Sequence, residues 1–264
     1  QTQYRSDVAN FFIKHTLEQP VLIEDVEYQA PYHITLMGIT LPQAQPEKQP
    51  PLYIDKIDIW FSPYSVTEAK LVLDSVLISG LQLDTNNLKI LDPLFTQQHI
   101  KLHQLALHDL DFSTPDFNAR GIDLQISDPT WNKHSSILPF GKTQLTAAQL
   151  YWQDEAFDNL LIDLDLKPND STLYGASFEW RGAKISGQAE QYRNDWSLVN
   201  VTIDGLRLNL QQTQSLLSKE WDLAGIRINH INSLDVLRSD IEWQNGHLAA
   251  FDASLENIKL PFEL

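Results

Sequence analysis

Cysteine is absent from all 264 residues, so neither a disulfide nor a thiolate nucleophile operates in this chain. That absence suits a bacterial envelope protein and many cytosolic ones alike. Basic residues are scarce: 19 Lys and Arg against 35 Asp and Glu leave a net charge of −16. So acidic a chain repels phosphate backbones, which argues against nucleic acid as a partner and against docking on anionic headgroups through a basic patch. No stretch approaches the ~18 consecutive apolar residues of a membrane-crossing helix. No signal-peptide pattern opens the chain, and Gln1 reads as a position downstream of a cut.

Catalytic signatures are also missing. No GxSxG, P-loop, GxGxxG or HExxH occurs. His99 and His103 would share a strand face, with His108 close behind, yet no thiol or helical motif supports a metal there. The carboxylate pairs Asp109/Asp111, Asp154/Glu155 and Asp163/Asp165 fall mostly at outward positions of alternating strands. A glycosidase-like acid pair would need one of them in a cleft with a raised pKa. The expectation is therefore a non-enzymatic protein with no metal and no cofactor.

What is present is β-periodicity. Apolar residues make up 42% of the chain and charged ones 20%, a globular balance that supports a sizeable core. Ile57-Asp58-Ile59-Trp60-Phe61 and Ile162-Asp163-Leu164-Asp165-Leu166 alternate with period two, as strands with one dry and one wet face do. Helical spacing appears at the start, over about 4–19, where Tyr4, Val8, Phe11, Phe12 and His15 form one face. A short helix is expected over Thr213 to Trp221, capped by Thr213, and a weaker one over Asn87 to Phe95.

One pattern recurs seven times: apolar-x-apolar-x-x-apolar-x-apolar. It covers Ile34, Leu36, Ile39, Leu41; Val76, Ile78, Leu81, Leu83; Leu105, Leu107, Leu110, Phe112; and Phe117, Ala119, Ile122, Leu124. It returns at Leu145, Ala147, Leu150, Trp152; Val201, Ile203, Leu206, Leu208; and Ala253, Leu255, Ile258, Leu260. In each copy the parity of the apolar positions flips once. In an unbroken strand the second half would then face water, and a one-residue bulge restores it to the dry face. Met37-Gly38, Ser79-Gly80, Arg120-Gly121, Asp204-Gly205 and Glu256-Asn257 occupy flips, and Gly and Asn accept the positive φ a bulge often needs.

The fold expected is mostly β: a long, strongly curled, antiparallel-rich sheet of bulged strands, with one N-terminal amphipathic helix and one or two short helices. It is read as one elongated domain over 1–264, with a sub-module boundary near 127–136 or 211–222. The bulges would shape either a closed β core or an open apolar trough. Candidate lining residues for a trough are Ile34, Leu36, Ile39, Leu41, Ile57, Ile59, Phe61, Val76, Ile78, Leu81, Leu83, Leu105, Leu107, Leu110, Phe112, Val201, Ile203, Leu206 and Leu208. A sugar-binding role is a further alternative, with the seven Trp as a platform.

Three stretches resemble the AsmA-like family of bacterial envelope proteins, related to the repeating β-groove lipid-transfer proteins. They are the opening helix with Val21 to Val26 and Ile34 to Leu41, then Leu52 to Ile59 with Ala69 to Leu83, and Leu198 to Leu208 with the helix after it. The resemblance implies a periplasmic protein, anchored in the inner membrane by an N-terminal transmembrane helix missing from this sequence. It implies an apolar β-groove sheltering phospholipid acyl chains, and a role in phospholipid transport or outer-membrane biogenesis. The alternative is a structural or assembly factor of the envelope with a closed core.

Overall fold

The computed structural model describes residues 21–41, 50–66, 71–85, 87, 100–131, 138–223 and 225–260. The helix expected over 4–19 and nearly all of the one expected over Asn87 to Phe95 lie outside them. The chain divides into two compact units, 1–142 and 143–264. Both are mostly strand.

Unit 1 contains β1 (Leu22–Gln29), β2 (His33–Leu41), β3 (Leu52–Phe61), β4 (Leu71–Asp84), β5 (Ile100–Leu102), β6 (Gln104–Ser113) and β7 (Phe117–Thr130), with a 3₁₀ turn at Pro63–Val66. They lie side by side in the order β1, β2, β3, β4, β6, β7, with β5 also against β4. Pairing is antiparallel except for β4 with β5 and β6. β8 (Phe140–Trp152) straddles the division.

Unit 2 adds β9 (Glu155–Leu166), β10 (Thr172–Trp180), β11 (Ala183–Tyr192), β12 (Asp195–Asp204), β13 (Arg207–Leu208), the helix α1 (Leu210–Leu217), β14 (Arg227–Trp243) and β15 (Gly246–Lys259). Tight turns make antiparallel neighbours of β9 to β12, whereas β12 and β13 run parallel to β14. The longer connection through α1 supplies the crossover that a parallel return requires.

The helix begins earlier than its spacing suggests. Asn209, not Thr213, is the N-cap: its side chain accepts from the Gln212 amide while the Gln212 side chain accepts from the Asn209 amide. This reciprocal cap satisfies two orphan donors at once. Thr213 sits inside the helix, where its hydroxyl has no partner among the described residues.

At six of the seven flips a residue has positive φ: Gly38 (60°), Gly80 (70°), Asp109 (55°), Gly121 (61°), Gly205 (79°) and Asn257 (52°). The copy from Leu145 to Trp152 has none. From β2 to β6 the flips are aligned, whereas the β6–β7 register shifts on both sides of Leu110. Asp25 pairs with Met37, Met37 with Lys56, Lys56 with Ser79, and Ser79 with His108. The β2–β3 register is unchanged on both sides of this line, as is the β4–β6 register. A lone bulge would slip one strand against its neighbours; flips at one level keep every apolar half on the same face. β3 therefore flips too, at Asp55-Lys56 between Leu52, Ile54 and Ile57, Ile59. Gly80 shows why a small residue is needed, because a Cβ there would run into the Asp55 carboxyl.

Candidate functional site, the apolar faces

In unit 1 the aligned flips assemble apolar rows perpendicular to the strands. Ile39, Ile54, Leu81, Leu110 and Ile122 form one. Leu36, Ile57, Ile78, Leu107 and Leu124 form the next, and Ile34, Ile59, Val76, Leu105 and Ile126 a third. Leu83 and Phe112 continue the pattern with Ala119, Leu41 pairs with Leu52, and Phe61 pairs with Leu73. The structure thus brings the unit 1 candidates together. It also packs most of them away from water: Ile54 is 0% exposed, Leu81 1%, Ile39 2% and Ile78 2%. Ile34, Ile57, Ile59, Phe61, Val76, Leu107 and Phe112 are half-buried.

Unit 2 differs. One row runs through Phe178, Ile185, Ile203, Val236 and Ala253. A second runs through Leu164, Leu173, Ala189, Leu198, Ile231 and Ile258. Val201, Leu234 and Leu255 make a third, approached from the other side by Ile162, Ala176 and Gly187. Apart from buried Ala189, these residues are half-buried, and Leu255 is 50% exposed. At one end the face is closed: Leu206 and Leu208 are buried with Ala183, and Trp180, Ile203, Ile241 and Leu216 of α1 pack on them. Val201, Ile203, Leu206 and Leu208 from the sequence list therefore occupy an edge of a larger face. Ala253, Leu255 and Ile258 belong to the seventh copy of the bulge pattern, and the members on β10 and β11 escape it because Ala176, Gly187 and Ala189 interrupt the apolar alternation.

Two buried carboxylates anchor polar clusters. In unit 1, Asp58 Oδ1 accepts the Thr35 hydroxyl at 2.6 Å and lies 2.9 Å from His33 Nε2, with Lys56 Nζ 3.4 Å from Oδ2. Burial pushes this carboxyl up, but the bonds from Thr35 and His33 and the Lys56 charge outweigh it and hold it below its ordinary value. His33 stacks on Trp60 at 4.4 Å. Beside them opens a cavity of about 330 Å³, lined by Gln29, Ala30, Pro31, Tyr32, His33, Trp60, Phe61, Pro63 and Asp74.

In unit 2, Glu155 is not the outward carboxylate that alternation suggests. It is 6% exposed and accepts from Trp180 Nε1 at 2.9 Å and from Arg181 Nε and Nη2 at 3.1 and 2.7 Å, with Lys219 at 3.8 Å. Burial raises its pKa and these partners lower it further than that, so it too stays charged.

The remaining sequence candidates have structural roles. Asp111 accepts from the Gly121 amide, His108 pairs with Asp123, and His103 pairs with Asp128. Asp165 lies 3.7 Å from Lys167. His99 is outside the described residues. Among the described residues no group of three or more His, Asp or Glu is placed to hold a metal ion, and no helix is long and apolar enough to cross a membrane.

No curated protein sequence matches the chain. Residues 4–264 match the model of the AsmA family, essentially the whole length.

Proposed function

Because the chain belongs to the AsmA family, whose members are generally envelope-associated, we propose that it shelters lipid acyl chains on the apolar face of unit 2. The observation that supports this is the set of half-exposed rows from Ile162 and Leu164 across to Leu255 and Ile258. Those rows cross six strands, β9 to β12 with β14 and β15, or about 24 Å at ~4.8 Å per strand. Each methylene moved from water onto such a surface gains about 0.8 kcal/mol, so even partial cover of an acyl chain is favourable. The role needs no reacting group. In this reading the protein works in the periplasm, held at the inner membrane, and contributes to phospholipid transport or outer-membrane biogenesis. Phospholipid is its partner, and catalysis is not part of its work.

Purified protein is expected to carry phospholipid detectable by mass spectrometry and to take up a fluorescent phospholipid from vesicles. Leu255→Asp and Leu234→Asp would place charge in the third row, and each is expected to lower uptake several-fold with the circular dichroism unchanged. A protein that neither carries nor takes up lipid overturns the reading. The more deeply buried rows of unit 1 favour a second role, that of a structural or assembly factor with a closed core. That role predicts that both variants behave as wild type.

A further inference from the structure

One end of unit 1 joins two uncharged segments rich in aromatic residues and proline. The β1–β2 turn brings Tyr28-Gln29-Ala30-Pro31-Tyr32 beside Trp60-Phe61-Ser62-Pro63-Tyr64, where β3 ends. Neither pentapeptide contains a charged residue, although the chain carries −16 in total. Both are held in place. The Phe61 amide donates to Tyr32 O at 2.9 Å, the Tyr28 hydroxyl donates to Pro31 O at 2.6 Å, and the Tyr64 amide donates to Ser62 Oγ at 3.2 Å. Three tyrosines on this end face water: Tyr64 is 70% exposed, Tyr28 52% and Tyr32 47%. Between the two segments lies the cavity described above, walled by Pro31, Tyr32, Trp60, Phe61 and Pro63, with His33 and Asp74 as its charged or chargeable lining besides Tyr32.

We infer that this end of unit 1 is a docking surface for a lipid bilayer, which it meets at the level of zwitterionic headgroups. Tyrosine and tryptophan favour the membrane interface because the ring is apolar and its polar tip stays wet. Proline turns expose ring faces without presenting a strand edge. The partner's charge follows from electrostatics. A chain this acidic is repelled by an anionic surface and meets a neutral one most readily through uncharged segments such as these. The surface is separate from the unit 2 face, so the inference stands whether or not unit 2 holds acyl chains.

The test is co-sedimentation of the whole chain with phosphatidylcholine vesicles, paired with amide hydrogen exchange. The wild type is expected to bind, with new protection at 29–33 and 61–64. Tyr32→Ser combined with Tyr64→Ser is expected to weaken binding about tenfold, or about 1.4 kcal/mol. Tyr174→Ser with Tyr192→Ser removes two tyrosines of similar exposure from unit 2 and is expected to leave binding unchanged. Absence of vesicle binding, protection confined to other segments, or equal loss in both tyrosine pairs overturns the inference. So does a dimer in vesicle-free solution that Tyr32→Ser and Tyr64→Ser dissolve, which would assign this end to a second copy of the chain.

Discussion

Asp123 Oδ1 accepts the backbone amide of Asp109 at 3.0 Å and lies 2.7 Å from His108 Nδ1. Asp109 is the positive-φ residue of a bulge, so its amide points away from the regular ladder and needs another acceptor. A carboxylate on the adjacent strand supplies it. The arrangement recurs where Asp111 accepts from Gly121 at 3.0 Å and where Asp252 accepts from Arg238 at 2.8 Å. Part of the acidic surplus therefore has a local structural use: it caps amides that the bulges release.

Asp123→Ala is expected to lower stability by about 1 kcal/mol, the usual size of one partly exposed hydrogen bond. Asp123→Asn keeps an acceptor and should cost less. Urea midpoints compare the two. Faster hydrogen exchange at the Asp109 amide in Asp123→Ala, but not in Asp123→Asn, would locate the effect at the bulge. Equal midpoints for both variants and wild type would exclude this capping role.

Gly80→Ala is expected to be more damaging. Its φ of 70° costs an L-residue roughly 1–2 kcal/mol, and the added methyl also meets the Asp55 carboxyl. Adding Asp55→Ala should recover only part of the steric cost, because the Cβ of residue 55 would still lie 2.7 Å from the new methyl, and should leave the backbone part. Asp109→Gly, at the aligned position on the neighbouring strand β6, should relieve backbone strain and hold or raise the urea midpoint once the Asp123 contact is retained. A Gly80→Ala protein as stable as wild type would refute the aligned-bulge account.

Acid should unfold the protein partly through Asp58 and Glu155. Both carboxyls sit below their ordinary values when folded, so the unfolded chain binds protons more readily than the native one. Their stabilisation is complete above about pH 5 and is lost as pH falls through about 4 toward their lower native values. Thr35→Val removes the shortest bond to Asp58 and should move that carboxyl upward, so that less stability is lost on acidification and the loss ends at a higher pH. Carbon-detected titration of Asp58, alongside urea midpoints from pH 7 to pH 3, checks both statements. A midpoint that stays constant across that range would contradict them.

Much of the local structure could be read from residue order. A parity flip with Gly, Asn or Asp at its centre marks a bulge because the extra residue restores side-chain alternation to one face, and these residues accept the positive φ that such a bulge often takes. Two others were hidden. Asn159 bulges between Phe157 and Leu160, where buried Glu155 stands in place of the first apolar residue. Arg238 bulges before Ser239, which is 0% exposed and takes a core position while its hydroxyl accepts from the Leu206 amide and donates to Leu237 O. A polar residue in a core position erases the pattern, and only its partners explain it. The cap at Asn209 was missed for a related reason, since its reciprocal bond with Gln212 outweighs the hydroxyl of Thr213.

By itself the sequence determined that the chain is mostly β, that its strands are bulged and where most bulges fall. These follow from side-chain alternation and backbone sterics, which act over a few residues. The tertiary structure decided that the flips of β2 to β6 align, that Glu155 and Asp58 are buried in ion-paired clusters, and that the rows of unit 1 are more deeply buried than those of unit 2. Exposure depends on what packs over a face. Two strands with the same alternation can therefore end, one in a buried core and the other on a face half open to water.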